Sequence, residues 1–186
     1  KDEKQSNDGS FKRKDTEFRN WITPDGSPGE TGVGGFKAES GRYHLYVSLA
    51  CPWAHRTLIF RKLKNLEPHI GVSIVHPIML ENGWEFRTDF SQCTGDQILG
   101  KNSIFEVYLA ADKNITSRAS VPVLWDVKQA TIVSNESSEI KRMFNSAFEK
   151  ISVNELDLYP RKLRTEIDEL NAMIYENVNN GVYKTG

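Results

Sequence analysis

The period of the hydrophobic positions changes several times along the chain, and each change predicts an element. Tyr43, Leu45, Val47 and Leu49 alternate with His44, Tyr46 and Ser48. A period of two predicts a strand. The run Ala50-Cys51-Pro52-Trp53-Ala54-His55-Arg56 follows directly. Pro52 suits the first turn of a helix, where its missing N–H is not needed. That helix is expected to reach about Lys64, with Leu58, Ile59 and Leu63 facing inward and Pro68 beyond its end. Gly71 to Val75 reads as a second strand. Val121-Pro122-Val123-Leu124-Trp125 reads as a third, interrupted by a proline that needs an edge or special position. Thr131-Ile132-Val133 is a fourth, and the Asp126–Ala130 gap suits a hairpin.

A helical period then takes over. Ser134-Asn135-Glu136-Ser137 is a capping sequence, and Ile140, Met143, Phe144, Ala147 and Phe148 follow at i, i+3, i+4, i+7 and i+8. Residues 149–160 form a polar linker ending at Pro160. A second amphipathic helix carries Leu163, Ile167, Leu170 and Ile174. Residues 77–117 show no clear period, beyond a short helix near 103–111. The expected organisation is a glycine-rich extension over 1–40, an α/β domain over 41–150, and the first part of a helical domain over 160–186. Phe11, Phe18, Trp21 and Phe36 punctuate the extension, and loop aromatics of this kind pin a segment onto a neighbouring surface. The chain starts at Lys1 without Met and stops right after an apparent helix, so the natural protein is expected to continue beyond Gly186.

Composition narrows the classes. The 186 residues carry a formal net charge of −1, which gives no reason to expect nucleic acid or a membrane surface as partner. No stretch approaches the roughly 18 apolar residues of a membrane span, and no secretory signal opens the chain. Two cysteines do not make a disulfide framework, so the sequons at Asn114 and Asn135 read as chance and the expected location is cytoplasmic.

Cys51 is the main chemical signal. At a strand-to-helix junction its thiol faces the exposed N–H groups of the first turn, whose dipoles favour the nucleophilic thiolate. The competing reading is a cysteine packed as a small hydrophobe; the Cys-Pro junction argues against it. Position 54 is Ala, where a dithiol motif would place its second cysteine. A disulfide formed at Cys51 is therefore resolved by an external thiol, which favours a small thiol cosubstrate. Cys51 and His55 are i, i+4, but without a further Cys or His cluster no metal site is expected. Two further signals are weaker. A cis bond at Val121-Pro122 would present the Val121 backbone to a peptide-like ligand, although most X–Pro bonds are trans. Glu136 and Ser137 open a helix whose N–H groups either bind a carboxylate or serve only as the helix's own cap.

Strand, Cys-Pro helix, Val-Pro strand and Glu-Ser helix start, in that order, resemble the glutathione transferase superfamily. The runs Tyr46-Val-Ser-Leu-Ala-Cys-Pro-Trp-Ala-His-Arg56, Val121-Pro-Val-Leu-Trp-Asp126, Asn135-Glu-Ser-Ser-Glu-Ile140 and Asn179-Asn-Gly-Val-Tyr-Lys184 look like the glutathionyl-hydroquinone reductases, the Xi-class transferases. The resemblance implies a thioredoxin-like domain followed by an all-α domain, glutathione as cosubstrate, and a homodimer. It implies reduction of glutathionyl-hydroquinones through a Cys51–glutathione mixed disulfide resolved by a second glutathione. It assigns Trp84, Arg118, Ala119, Ser120 and Val121 to glutathione binding, Glu136 to the γ-glutamyl ammonium and Ser137 to its carboxylate. Tyr183 becomes a catalytic proton donor. Two alternatives stay open: a broader thiol transferase or dehydroascorbate reductase, and a non-catalytic glutathione-binding module. Cys93 is read as a bystander.

Overall fold

The elements of the first half are built around one short strand. The computed structural model describes residues 16–185; Phe11, and with it the start of the 1–40 extension, lies outside them. Strand β1 (Tyr43–Val47) leads into helix α1 (Pro52–Leu63) and strand β2 (Ile70–Ile74). Helix α2 (Ile104–Ala111), strands β3 (Val123–Asp126) and β4 (Thr131–Ser134), and helix α3 (Ser137–Ser146) complete the unit. The sheet order is β2-β1-β3-β4. β1 runs parallel to β2 and antiparallel to β3, and β3 pairs antiparallel with β4. This is a thioredoxin-like arrangement, with the β1–α1–β2 crossover on one side and the hairpin on the other.

The alternation in β1 does not separate a core face from a solvent face, because all five residues are buried. Tyr43 meets Phe148 edge to face at 6.1 Å. On the other face, Tyr46 lies beneath the poorly patterned segment after β2, and His44 faces Ser73 of β2. Tyr46 meets Phe86 at 5.6 Å and donates its hydroxyl to Asp96 at 3.0 Å. Asp96 also accepts from the backbone N–H groups of Ile98, Leu99 and Lys101. One carboxylate therefore organises a loop that shows no hydrophobic period.

Helix α1 keeps only part of its predicted face inward: Leu58 packs half-buried against the core. Ile59 and Leu63 are 42% and 44% exposed, while Ala54 and Thr57 are buried. Two basic residues continue that inner face. Arg61 donates to the Ile70 carbonyl at 2.7 Å, and Lys64 to the carbonyl of Leu156. These side chains satisfy orphan carbonyls at element ends, so the inward face is not marked by hydrophobicity. Helix α3 follows its pattern, with Ile140, Met143, Phe144, Ala147 and Phe148 all buried.

The segment before β1 is pinned by its aromatics. Trp21 and Phe36 are buried, and Phe18 meets Tyr108 at 5.9 Å. The segment runs beside β4, with Asn20 N bonded to the Val133 carbonyl at 2.9 Å and Asn135 N to the Phe18 carbonyl at 3.2 Å. It then turns back through Gly29 and Gly32 so that Thr23 pairs with Lys37. A side chain at Gly29 would stand 2.3 Å from Trp21 Cβ. Arg42 ties the segment to the sheet. Its guanidinium holds Asp126 through Nε and Nη2, Glu39 through Nη1 at 2.9 Å, and the Gly35 carbonyl at 2.9 Å. That pairing raises the Arg42 pKa further above its already high ordinary value.

The described residues fall into two compact units, Glu17–Leu156 and a second that begins again at Asp157. The second holds a 3₁₀ turn (Arg161–Leu163), helix α4 (Arg164–Ile174), a π-helical segment (Tyr175–Asn179) and helix α5 (Asn180–Thr185). Arg164 lies over the Tyr159 ring at 4.9 Å, and Lys184 pairs with Glu176 across the π segment. Among the described residues no helix is long and apolar enough to cross a membrane.

Candidate active site

Cys51 is the N-cap residue of α1, in an extended conformation, with Pro52 opening the helix. Its side chain is half-buried. Its Sγ–H donates to the Val121 carbonyl at 3.5 Å. The Val121–Pro122 peptide is cis. Both cysteines are free thiols, and the second position of a dithiol motif is the fully buried Ala54. Cys93 is a different case. It donates to the Val75 carbonyl at 3.4 Å, and burial, with the charge of Asp89, pushes its pKa up and keeps it a neutral thiol.

The loop before Pro122 is fixed from beneath by Tyr108. The Tyr108 hydroxyl donates to the Ser120 carbonyl at 3.0 Å and accepts from Ser120 N at 3.3 Å and from Asn135 Nδ2 at 2.9 Å. Burial raises the pKa of this phenol, so it stays neutral and both gives and takes a hydrogen bond. One hydroxyl therefore joins the backbone before β3 to the residue before Glu136. Arg118 and Ala119, just upstream of Ser120, border a hollow of about 650 Å³. Its other walls are Glu81, Asn82 and Gly83, and the start of α2 at Ser103, Phe105 and Glu106. Trp84 stands between two lining residues, Gly83 and Glu85, and packs half-buried against the core. Its carbonyl accepts from Ile104 N at 2.9 Å.

The start of α3 lies outside the lining of that hollow. Glu136 is the N-cap residue, and its carboxylate accepts from Ser138 N at 3.0 Å and from Ser138 Oγ at 2.8 Å. Ser137 is buried, and its Oγ accepts from Arg56 Nη2 at 2.6 Å. In the same first turn, Glu139 is buried and ion-paired with Arg19.

Of the residues singled out from sequence, the structure joins Cys51 to Val121 directly. It sets Arg118 and Ala119 opposite the turn that precedes Trp84. It links Ser120, through Tyr108, to the segment entering Glu136 and Ser137. Tyr183 belongs to the second unit, on α5, with its side chain exposed. Among the described residues no group of three or more His, Cys, Asp or Glu side chains is arranged to hold a metal ion.

Tyr108 and Arg56 have no role that the sequence predicts, and Asn135 figures there only in the capping sequence. A tyrosine inside the apolar run Ile104–Ala111 is a usable signal, since a buried hydroxyl needs a partner. Nothing in the spacing of Arg56 tells that it reaches α3.

A cysteine capping the first helix, a cis-proline turn beside it and a Glu-Ser helix start across from it, on this sheet, define a glutathione-transferase type of domain. The profile of the glutathione S-transferase N-terminal domain matches residues 50–147, and the chain belongs to that family. Among individual proteins, the chain is 59% identical over 182 residues to glutathionyl-hydroquinone reductase YqjG of Escherichia coli, covering 98% of this chain and 56% of the relative. It is 51% identical over 185 residues to glutathione S-transferase omega-like 2 of Schizosaccharomyces pombe, covering 97% and 56%. The glutathione-bound structure of YqjG superimposes with a TM-score of 0.88 at 62% identity, covering 90% of this chain and 54% of that one. The chain thus spans about half the length of the curated relatives it matches.

Proposed function

We propose that the protein is a glutathione-dependent reductase of glutathionyl-hydroquinones, and that Cys51 is its nucleophile. The observation that carries the reading is the Cys51 thiol at the α1 N-terminus, 3.5 Å from the Val121 carbonyl, in a chain so similar to a glutathionyl-hydroquinone reductase. Cys51 is the N-cap residue of α1, and the N-terminal end of a helix favours a negative charge. The thiolate attacks the glutathione sulfur of the conjugate. A Cys51–glutathione disulfide forms as the carbon–sulfur bond breaks, and the aromatic carbon takes the bonding pair together with a proton. A second glutathione thiolate attacks the mixed disulfide, releasing oxidised glutathione and returning Cys51. The conjugate is reduced to hydroquinone, and two glutathione units leave as one disulfide. Ala54 offers no competing thiol.

On this reading the backbone at Val121, with Ser120 and Ala119, lies along the cysteinyl unit of glutathione. Arg118 meets a carboxylate, Trp84 borders the tripeptide, Glu136 holds the γ-glutamyl ammonium and Ser137 its carboxylate. The 179–184 motif supports Tyr183 as the group that protonates the aromatic carbon. The same resemblance supports a homodimer, and the two free cysteines support the cytoplasm. The similarity to an omega-like relative supports a second reading, a general thiol transferase or dehydroascorbate reductase.

The test is turnover of a glutathionyl-hydroquinone with glutathione by the protein and by C51A. The expected result is hydroquinone release by wild type and a loss of at least about a thousandfold in C51A, as for removal of a covalent nucleophile. A C51A variant that keeps most of the activity refutes the mechanism. A wild type that ignores the conjugate but reduces hydroxyethyl disulfide establishes the second reading instead.

A further inference from the structure

Helix α1 carries Cys51 at its cap, and a little over one turn later it carries a guanidinium that reaches the start of α3. Arg56 Nη2 donates to Ser137 Oγ at 2.6 Å. A serine hydroxyl has a single proton. With a lone pair committed to a permanently charged donor, that proton is free to point at an incoming acceptor. Arg56 is steadied from its other side by the Trp53 ring, whose centre lies 4.8 Å from the guanidinium carbon. Trp53 and Arg56 are i, i+3 and share a face of α1.

The charges around the α3 start add a second argument. The Glu136 carboxylate caps the helix, and Glu139 lies in its first turn. Two negative side chains oppose an anionic ligand there and offset the attraction of the helix N-terminus. Arg19 is ion-paired with Glu139. Arg56 is the cation bonded to the hydroxyl that meets the ligand.

We infer that Arg56 is a positioning residue that makes Ser137 a carboxylate donor and so sets the preference for an ionised γ-glutamyl group; this rests on the glutathione reading above. Arg56 acts through Ser137, without taking part in the sulfur chemistry. It also links the helix that presents the thiol to the helix that anchors the other end of the tripeptide.

The experiment measures binding of S-methylglutathione, which cannot form a disulfide, by titration calorimetry. The comparison ligand is the same compound with its γ-glutamyl α-carboxylate amidated. Wild type is expected to bind the amide about tenfold more weakly, the scale of one charge-assisted hydrogen bond. In R56Q the parent ligand binds about tenfold more weakly and the acid-to-amide ratio falls to about twofold. R56K, which keeps the charge without the planar fork, restores part of the ratio. S137A loses the ratio as R56Q does, and R56Q/S137A adds less than about twofold to S137A alone. Should R56Q not fold, R56K and S137A decide the matter by the same ratio. A full ratio in R56Q or in S137A overturns the inference and leaves the glutathione reading standing. A wild type that binds neither ligand overturns the reading of the site, and the inference with it.

Discussion

His44 is the residue whose protonation the fold resists most plainly. It is buried in β1, its Nε2 is 2.7 Å from Ser73 Oγ, and burial depresses its pKa from 6.5 to about 4. The folded protein therefore binds the proton less readily than the unfolded chain does. Stability from the neutral ring is complete above pH 6.5 and is lost as the pH falls toward 4, by at most about 1.4 kcal/mol per pH unit. Urea unfolding between pH 7 and 4 should show this slope, and H44Q should flatten it relative to wild type. Residues also mark where the sequence was readable. Cys51 was legible because strand, cysteine and proline are adjacent in the chain. Arg56 and Tyr108 were not, because their partners lie far away in sequence and only packing brings them together. His44 alternates with apolar residues in a strand, and its burial beside Ser73 of β2 and the Tyr46 ring has no signal in that alternation.

At the level of elements, α3 followed its pattern, since it has one face in the core and an ordinary cap, and the hairpin formed from short apolar runs that are buried on both faces. Helix α1 followed its pattern only in part, because Arg61 and Lys64 occupy its inner face to bond carbonyls, and hydrophobicity cannot report that role. The glycine-rich segment before β1 looked like punctuation but is built to close tolerances. Gly29 lies so close to Trp21 that a methyl group there collides with the indole, which is itself held by a bond from Nε1 to Thr31 Oγ1 at 2.9 Å. G29A should destabilise the protein by about 1–3 kcal/mol, as overpacking does. The change should be visible as a lower Tm and a shift in tryptophan fluorescence. Unchanged values would mean that the loop can move aside.

At the largest scale, Arg42 and Asp126 tie the segment before β1 to the sheet within the Glu17–Leu156 unit. The pair joins β1 and β3 to the Gly35–Glu39 stretch, with Asp126 fully buried. D126A removes the fully buried carboxylate and leaves Arg42 to Glu39 and the Gly35 carbonyl, and losses of up to about 3–5 kcal/mol are usual for such a break. Equilibrium unfolding in urea should give a midpoint displaced by that amount, whereas D126N, which keeps one acceptor, should lose less. The two-unit division has no such signature in the sequence beyond the polar 149–160 linker. The strip of chain beside β4 has one more consequence. A strand at the border of a sheet offers unpaired N–H and C=O groups to any other extended chain, and proteins blunt such borders to avoid aggregation. Asn20 N takes the Val133 carbonyl of β4, and the Phe18 carbonyl takes Asn135 N just past its end, so the segment that holds Arg19 against α3 also guards that stretch of the border against adding a foreign strand.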